Sequence, residues 1–276
     1  MDLDALLSRL EHQRGVLVTV HAVQGSGPRE VGAWMGVFQG TVIGSVGGGH
    51  LEWQAIAHAR QILVQGRPVP EQVQRYALGP SLGQCCGGVV QLRFEQIDAG
   101  SRQALGVKLA QAGGPIALFG GGHVGKALIR LLGDLPFDVT WIDSREEIFP
   151  LELPGNVRCD HSDPVQAAVR DLAPGSGVLI MSFSHAEDLD IVAACLARRR
   201  ARGDLPYIGL IGSKTKWAAF RHRLAGRGFT ADELSGVVCP IGLPGIEGKA
   251  PAVVAVAVAA QLLQMLPSHD VKAPSA

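Results

Sequence analysis

From Pro115 onward the chain alternates β-rich and helical runs, and that alternation leaves few folds open. Strands are predicted at Ile116–Phe119, Val139–Ile142, Val157–Cys159, Val178–Met181, Tyr207–Ile211 and Val237–Val238. Between and after them, helical spacing predicts helices over 123–133, 164–172, 186–201, 214–225 and 250–266. Asp163-Pro164 reads as an N-cap followed by proline in the first turn, and Ser213 as the cap of its helix. Strands and helices in this order form a parallel sheet covered by helices on both faces. The first hundred residues follow another grammar. A helix is predicted over 2–14, strands at Val16–Val23, Trp34–Phe38, Thr41–Val46, Val73–Leu78 and Val89–Phe94, and a helix over 51–65. The expected fold is therefore α/β, a C-terminal Rossmann-like doubly wound sheet over 115–266 with a smaller N-terminal α+β domain over 1–100. The break belongs near 100–114, and 267–276 reads as a flexible tail.

Charge narrows the function classes. The 276 residues carry 25 Lys and Arg against 25 Asp and Glu, so no broad basic field exists and nucleic acid is not an expected partner. Ala250–Leu266, the most apolar stretch, contains Pro251, Gln261 and Gln264 and predicts a buried helix, not a membrane span. The acidic Met1-Asp2-Leu3-Asp4 start predicts no secretory signal. Five cysteines predict reduced thiols, and the cytoplasm is the expected compartment.

Four segments could carry chemistry. Gly120-Gly121-Gly122-His123-Val124-Gly125 fits G-x-G-x-x-G between a predicted strand and helix, where Gly120, Gly122 and Gly125 let a diphosphate approach the backbone. Asp143 follows 18 residues after Gly125, where an acid holds a ribose diol, and Arg145 beside it admits NADP as well as NAD. A second glycine loop, Gly44 to Gly49, offers the amides of Gly47, Gly48 and Gly49 to an anion, with Glu52 in the first helical turn. Gly83-Gln84-Cys85-Cys86-Gly87-Gly88 holds two adjacent thiols between glycines. Neighbouring cysteines do not both point into a core, and no spacing here makes a zinc site. Cys159, Cys195 and Cys239 read as packing residues. Two further clusters stand at strand ends: Ser182-Phe183-Ser184-His185 with Asp188 and Asp190, and Gly209-Leu210-Ile211-Gly212-Ser213-Lys214-Thr215-Lys216. His185 reads as either a base or a structural histidine, and Lys214 as a group able to meet an anion.

Taken together these strings resemble the xanthine dehydrogenase accessory protein family of XdhC/CoxI type. The matching pieces are Gly25-Ser26-Gly27-Pro28-Arg29 with Gly32-Ala33-Trp34-Met35, Gly47 through Glu52, and Leu82 through Gly88. The glycine run at 120–125, Tyr207 through Lys216, Pro240 through Gly245 and Lys249-Ala250-Pro251 complete it, in family order over most of the chain. The resemblance implies a chaperone, not an enzyme: it binds the molybdenum cofactor in its molybdopterin form and protects it during sulfuration. It then inserts the cofactor into the molybdenum subunit of xanthine dehydrogenase. A cysteine desulfurase as sulfur donor is implied with it, and the positive mean hydropathy agrees with a homodimer. Arg29 and Gln84 join the loop residues as implied cofactor contacts, and Cys85 and Cys86 are implied transient contacts of the cofactor's molybdenum. The family's broader members place cysteine where His50 stands, so no sulfur role is implied there. The rival reading is an NAD(P)-dependent oxidoreductase using Gly120, Gly122, Gly125 and Asp143, which leaves Cys85 and Cys86 unexplained. A third reading is an interaction scaffold whose glycine loops are only turns.

Overall fold

Val16, Leu17, Val18 and Val20 are all fully buried, which an extended run achieves only when both faces of its sheet are covered. The covering elements differ. The structure, a computed structural model, describes residues 2–65, 69–78, 88–109 and 113–265, and the chain divides into two units between Ala110 and Gln111. In the first unit, β1 (Gly15–Gln24) is central to an antiparallel sheet with β2 (Trp34–Val37), β3 (Val42–Gly44), β4 (Gln72–Ala77) and β5 (Val89–Ile97). The order is β3-β2-β1-β5-β4. Val16, Val18 and Val20 form a core with Leu51, Ala55, Ala59 and Ile62 of α2 (Gly49–Val64). Leu17 turns the other way, to Leu6 and Leu10 of α1 (Asp2–Leu10) and Leu105 of α3 (Arg102–Leu109).

The second unit is a six-stranded parallel sheet. In chain order it contains β6 (Gly114–Phe119), α4 (His123–Leu132), β7 (Phe137–Asp143), β8 (Val157–His161), β9 (Gly177–Ile180) and α5 (His185–Arg202). Then follow β10 (Tyr207–Leu210), α6 (Lys214–Gly226), α7 (Ala231–Ser235), β11 (Val237–Val238) and α8 (Pro251–Met265). The strand order β11-β10-β9-β6-β7-β8 is the doubly wound dinucleotide-fold order, with its reversal between β6 and β9. Along β6 the period of two sorts the residues. Ala117 and Phe119 pack towards α5 and α6, whereas Ile116 and Leu118 pack towards α4 and α8. The expected α/β architecture is thus observed, with the antiparallel sheet first and the parallel sheet second.

Several local expectations are corrected. Residues 165–171 form a 3₁₀ helix, not an α-helix over 164–172. Pro164 itself occupies the cap position in extended backbone (φ −74°, ψ 138°), and no side chain caps the turn. The predicted helix over 2–14 stops at Leu10, and the strand over 41–46 narrows to Val42–Gly44 because Ser45 to Gly48 fold onto Glu52. Residues 102–109, which carried no predicted element, form helix α3, with Leu105 as its buried anchor in the first unit's core; the division between the units follows it, inside the expected 100–114. Cys159 is exposed, while Cys195 is buried as expected and Cys239 is intermediate. Residues 266–276, which include the expected tail, lie outside the described residues. No helix among the described residues is long and apolar enough to cross a membrane.

Candidate functional site

In a doubly wound sheet, ligands collect at the carboxyl ends of the strands where the order reverses, so the β6 and β9 ends come first. The glycine loop after β6 is pressed against the β9 loop. A side chain at Gly120 (φ +117°) would put its Cβ 2.0 Å from the carbonyl oxygen of Met181, so only glycine fits there. Gly125 lets α4 lie against the Gly120 carbonyl, which also accepts the indole N–H of Trp141 at 3.1 Å. Gly122 caps α4 with open space around its Cβ direction.

Asp143 sits under this loop, 2% exposed, at the end of β7. Its Oδ2 accepts the Gly121 amide at 2.6 Å and Arg145 Nη2 at 3.0 Å. Its Oδ1 accepts the Arg145 amide at 3.0 Å and Arg145 Nε at 2.9 Å. Burial works to raise this carboxyl's pKa, but the Arg145 guanidinium and the two amides outweigh burial and hold it below the usual carboxylate range. Four bonds fill the roughly four acceptor positions of a carboxylate. The chain itself thus takes the acceptors that a ribose diol would need.

Across the reversal, Arg145 lies over the ring of Phe183, with Cζ 4.4 Å from the centroid. Glu187 spans the same gap, accepting Ser144 Oγ at 2.8 Å on Oε1 and the Phe183 amide at 3.1 Å on Oε2. Ser184 caps α5 by accepting the Glu187 amide, so Ser184 and Glu187 form the S-x-x-E signature that could have drawn attention to Glu187. Asp188 turns inward, accepting Ser182 N and Oγ at 2.9 and 2.8 Å and Lys216 Nζ at 2.6 Å. Lys216, not Lys214, is the lysine drawn into this edge. Lys214 is exposed at the start of α6, and His185 is exposed with its ring edge-on to Phe220 at 6.4 Å. Burial pushes the thiol of nearby Cys239 up in pKa.

The first unit holds its own glycine loop. Gly44, Gly47, Gly48 and Gly49 all have positive φ, and a side chain at Gly47 would strike the ring of Pro28 at 2.5 Å. The amides turned inward by this path meet an internal carboxylate. Glu52 Oε2 accepts Ser45 Oγ at 2.5 Å, the Val46 amide at 3.0 Å and the Gly48 amide at 3.1 Å. Its partial burial opposes the charge, yet Ser45 and the Gly48, Val46 and Gly47 amides hold its carboxyl below the ordinary value. Gly88 is packed against Ser26, whose carbonyl oxygen would lie 2.3 Å from an added Cβ, and the Gly88 carbonyl accepts the Leu78 amide at 2.8 Å. The 25–28 turn thereby contacts both the 44–49 loop and the residue that ends the cysteine segment. Gln84, Cys85 and Cys86 lie outside the described residues. Arg29 is exposed and paired with Glu30 at 3.0 Å. Among the described residues no group of three or more His, Cys, Asp or Glu side chains could hold a metal ion.

A doubly wound unit of dinucleotide-fold order joined to an antiparallel α+β unit rich in glycine turns defines the class. Residues 116–262 match the XdhC Rossmann domain and residues 8–77 match the XdhC and CoxI family, and the chain belongs to that family. YqeB, an uncharacterized protein of Escherichia coli strain K12, is 26% identical over 265 residues, covering 94% of this chain and 45% of YqeB. The chain therefore spans about half the length of that curated relative. A crystal structure described as a xanthine dehydrogenase from Bacillus halodurans has the same fold: TM-score 0.76, 21% identity, covering 99% of this chain and 98% of that one.

Proposed function

We propose that the chain is an accessory chaperone in the maturation of xanthine dehydrogenase, with the molybdenum cofactor, in its molybdopterin form, as cargo. It holds the cofactor while a cysteine desulfurase supplies sulfur, and passes it to the molybdenum subunit of xanthine dehydrogenase, acting as a homodimer in the cytoplasm. The carrying observation is that both units match the one family in chain order. The chemistry of the chain supports it. The sequence carries an adjacent thiol pair, Cys85-Cys86, between glycines, and thiolates suit the soft metal end of such cargo. The strand order favours a second reading, an NAD(P)-dependent oxidoreductase, but the occupied acceptors of Asp143 count against it.

The test is equilibrium ultrafiltration of the apo-protein with molybdenum cofactor and, in parallel, with NAD(H) and NADP(H), reading retained pterin by fluorescence after oxidation. Stoichiometric retention of pterin without nicotinamide is expected, and Cys85→Ala and Cys86→Ala should lower that retention while the circular dichroism spectrum is unchanged. Retention of nicotinamide alone would replace the chaperone with the oxidoreductase.

A further inference from the structure

Asp143 and Glu187 flank the same reversal of the second unit, and counting their acceptors separates them. Each carboxylate has about four lone-pair positions. Asp143 has four bonds to the chain, whereas Glu187 has two, one on each oxygen. Each oxygen of Glu187 therefore keeps one acceptor, the arrangement that receives two parallel N–H donors. Beside it, Phe183 is 68% exposed, although its amide is fixed by Glu187 and its ring is braced by the Arg145 guanidinium. A large aromatic ring held rigid and left open to water is a stacking surface. An exposed ring fixed in this way is a shelf, suited to a flat ligand that lies on it.

We propose that Phe183 and Glu187 form a ring-binding shelf that selects a 2-amino-4-oxo pyrimidine edge, the edge shared by pterins and guanine. That edge carries a ring N–H beside an amino group, two donors side by side, and so pairs with both oxygens of Glu187 while the ring stacks on Phe183. Adenine offers an acceptor nitrogen beside its amino group, which would set one lone pair against a carboxylate oxygen. Arg145 acts as a positioning residue: it braces Phe183 and occupies Asp143. Glu187 and Glu147 also surround Arg145 with negative charge, which disfavours a ribose 2′-phosphate there. In taking a pterin as the cargo's ring, the inference rests on the function proposed above, and it assigns that ring to the second unit.

Equilibrium dialysis of the full chain against neopterin, GMP and AMP tests the shelf without molybdenum. Neopterin should bind and AMP should bind at least about tenfold more weakly. Phe183→Ala and Glu187→Gln should each weaken neopterin about tenfold or more. Phe183 is exposed, and the amide introduced by Glu187→Gln keeps a carbonyl oxygen for Ser144 or the Phe183 amide, so both variants should melt near the wild type. GMP binding with the same dependence on both variants would support the shelf and point to a guanine nucleotide as its source. Equal binding of AMP, or neopterin binding indifferent to both substitutions, would overturn it. Molybdenum cofactor retained equally by wild type and both variants would overturn the shelf and leave the chaperone standing. Loss of retention by the wild type would remove the chaperone, and the neopterin-to-AMP comparison would still judge the shelf.

Discussion

Single carboxylates decide what both glycine loops can do. The glycines were readable because their spacing implies turns and close approaches, and the positive φ values of Gly47 and Gly120 agree. The partners of those loops were not readable. That Asp143 would be filled by Arg145, two residues on, depends on how the chain leaves β7, and that Glu52 would fold back under Ser45 to Gly48 depends on the path of the turn. Glu52 gives a prediction at this scale. Its carboxyl lies below the ordinary value of 4.5 in the folded chain, so folding favours the charged form. Its stabilisation is fully present above pH 4.5 and is lost as the pH falls through the lower folded value. Glu52→Gln keeps the shape but weakens three charge-assisted bonds, and should cost about 1–3 kcal/mol at pH 7. Thermal melts of both proteins between about pH 3 and pH 7 should converge at the acid end. Parallel curves would show that Glu52 is not the acid-sensitive group.

Elements were legible where a long apolar period ran uninterrupted, as in β6, α5 and β10, and less so where tertiary contacts set the limits. Helix α3 is short, contains Gly106 and buries only Leu105, so its pattern alone hardly differs from a linker. The 165–171 turn has buried Val165, Ala168 and Val169, a three-residue spacing that suits a 3₁₀ turn as well as an α-helix. The tie between α5 and α6 was missed because Asp188 and Lys216 are distant in sequence. Their side chains are 3% and 12% exposed, and the pair secures the β9 loop to the start of α6. Lys216→Met would leave Asp188 buried without its counter-charge and should cost about 3–5 kcal/mol. Adding Asp188→Asn should restore more than half of that loss, since the uncompensated charge is then gone. Urea unfolding of the two single variants and the double variant measures this coupling. Additive losses would mean that the pair contributes no interaction of its own.

At the scale of the whole molecule, the change from an irregular mix of strands and helices to strict alternation announced an α+β part followed by a parallel sheet, and the buried residues fall into separate cores within each unit. Separate cores predict unfolding that is not two-state. Calorimetry should resolve two transitions, and Leu118→Ala, at a fully buried position of β6, identifies the one that belongs to the second unit. The lost packing of about 2–5 kcal/mol should lower that transition by roughly 5–15 °C and leave the other in place. The same experiment locates the ring-binding site. A ligand that binds only the folded form stabilises the unit that holds it, by about 2.7 kcal/mol at a hundred times its dissociation constant. Neopterin at that excess should raise the transition that Leu118→Ala lowers, and Phe183→Ala, by weakening binding about tenfold or more, should cut the rise to about half or less. A rise confined to the other transition would move the ring to the first unit, beside its glycine turns, and would leave Phe183 and Glu187 as packing between two loops.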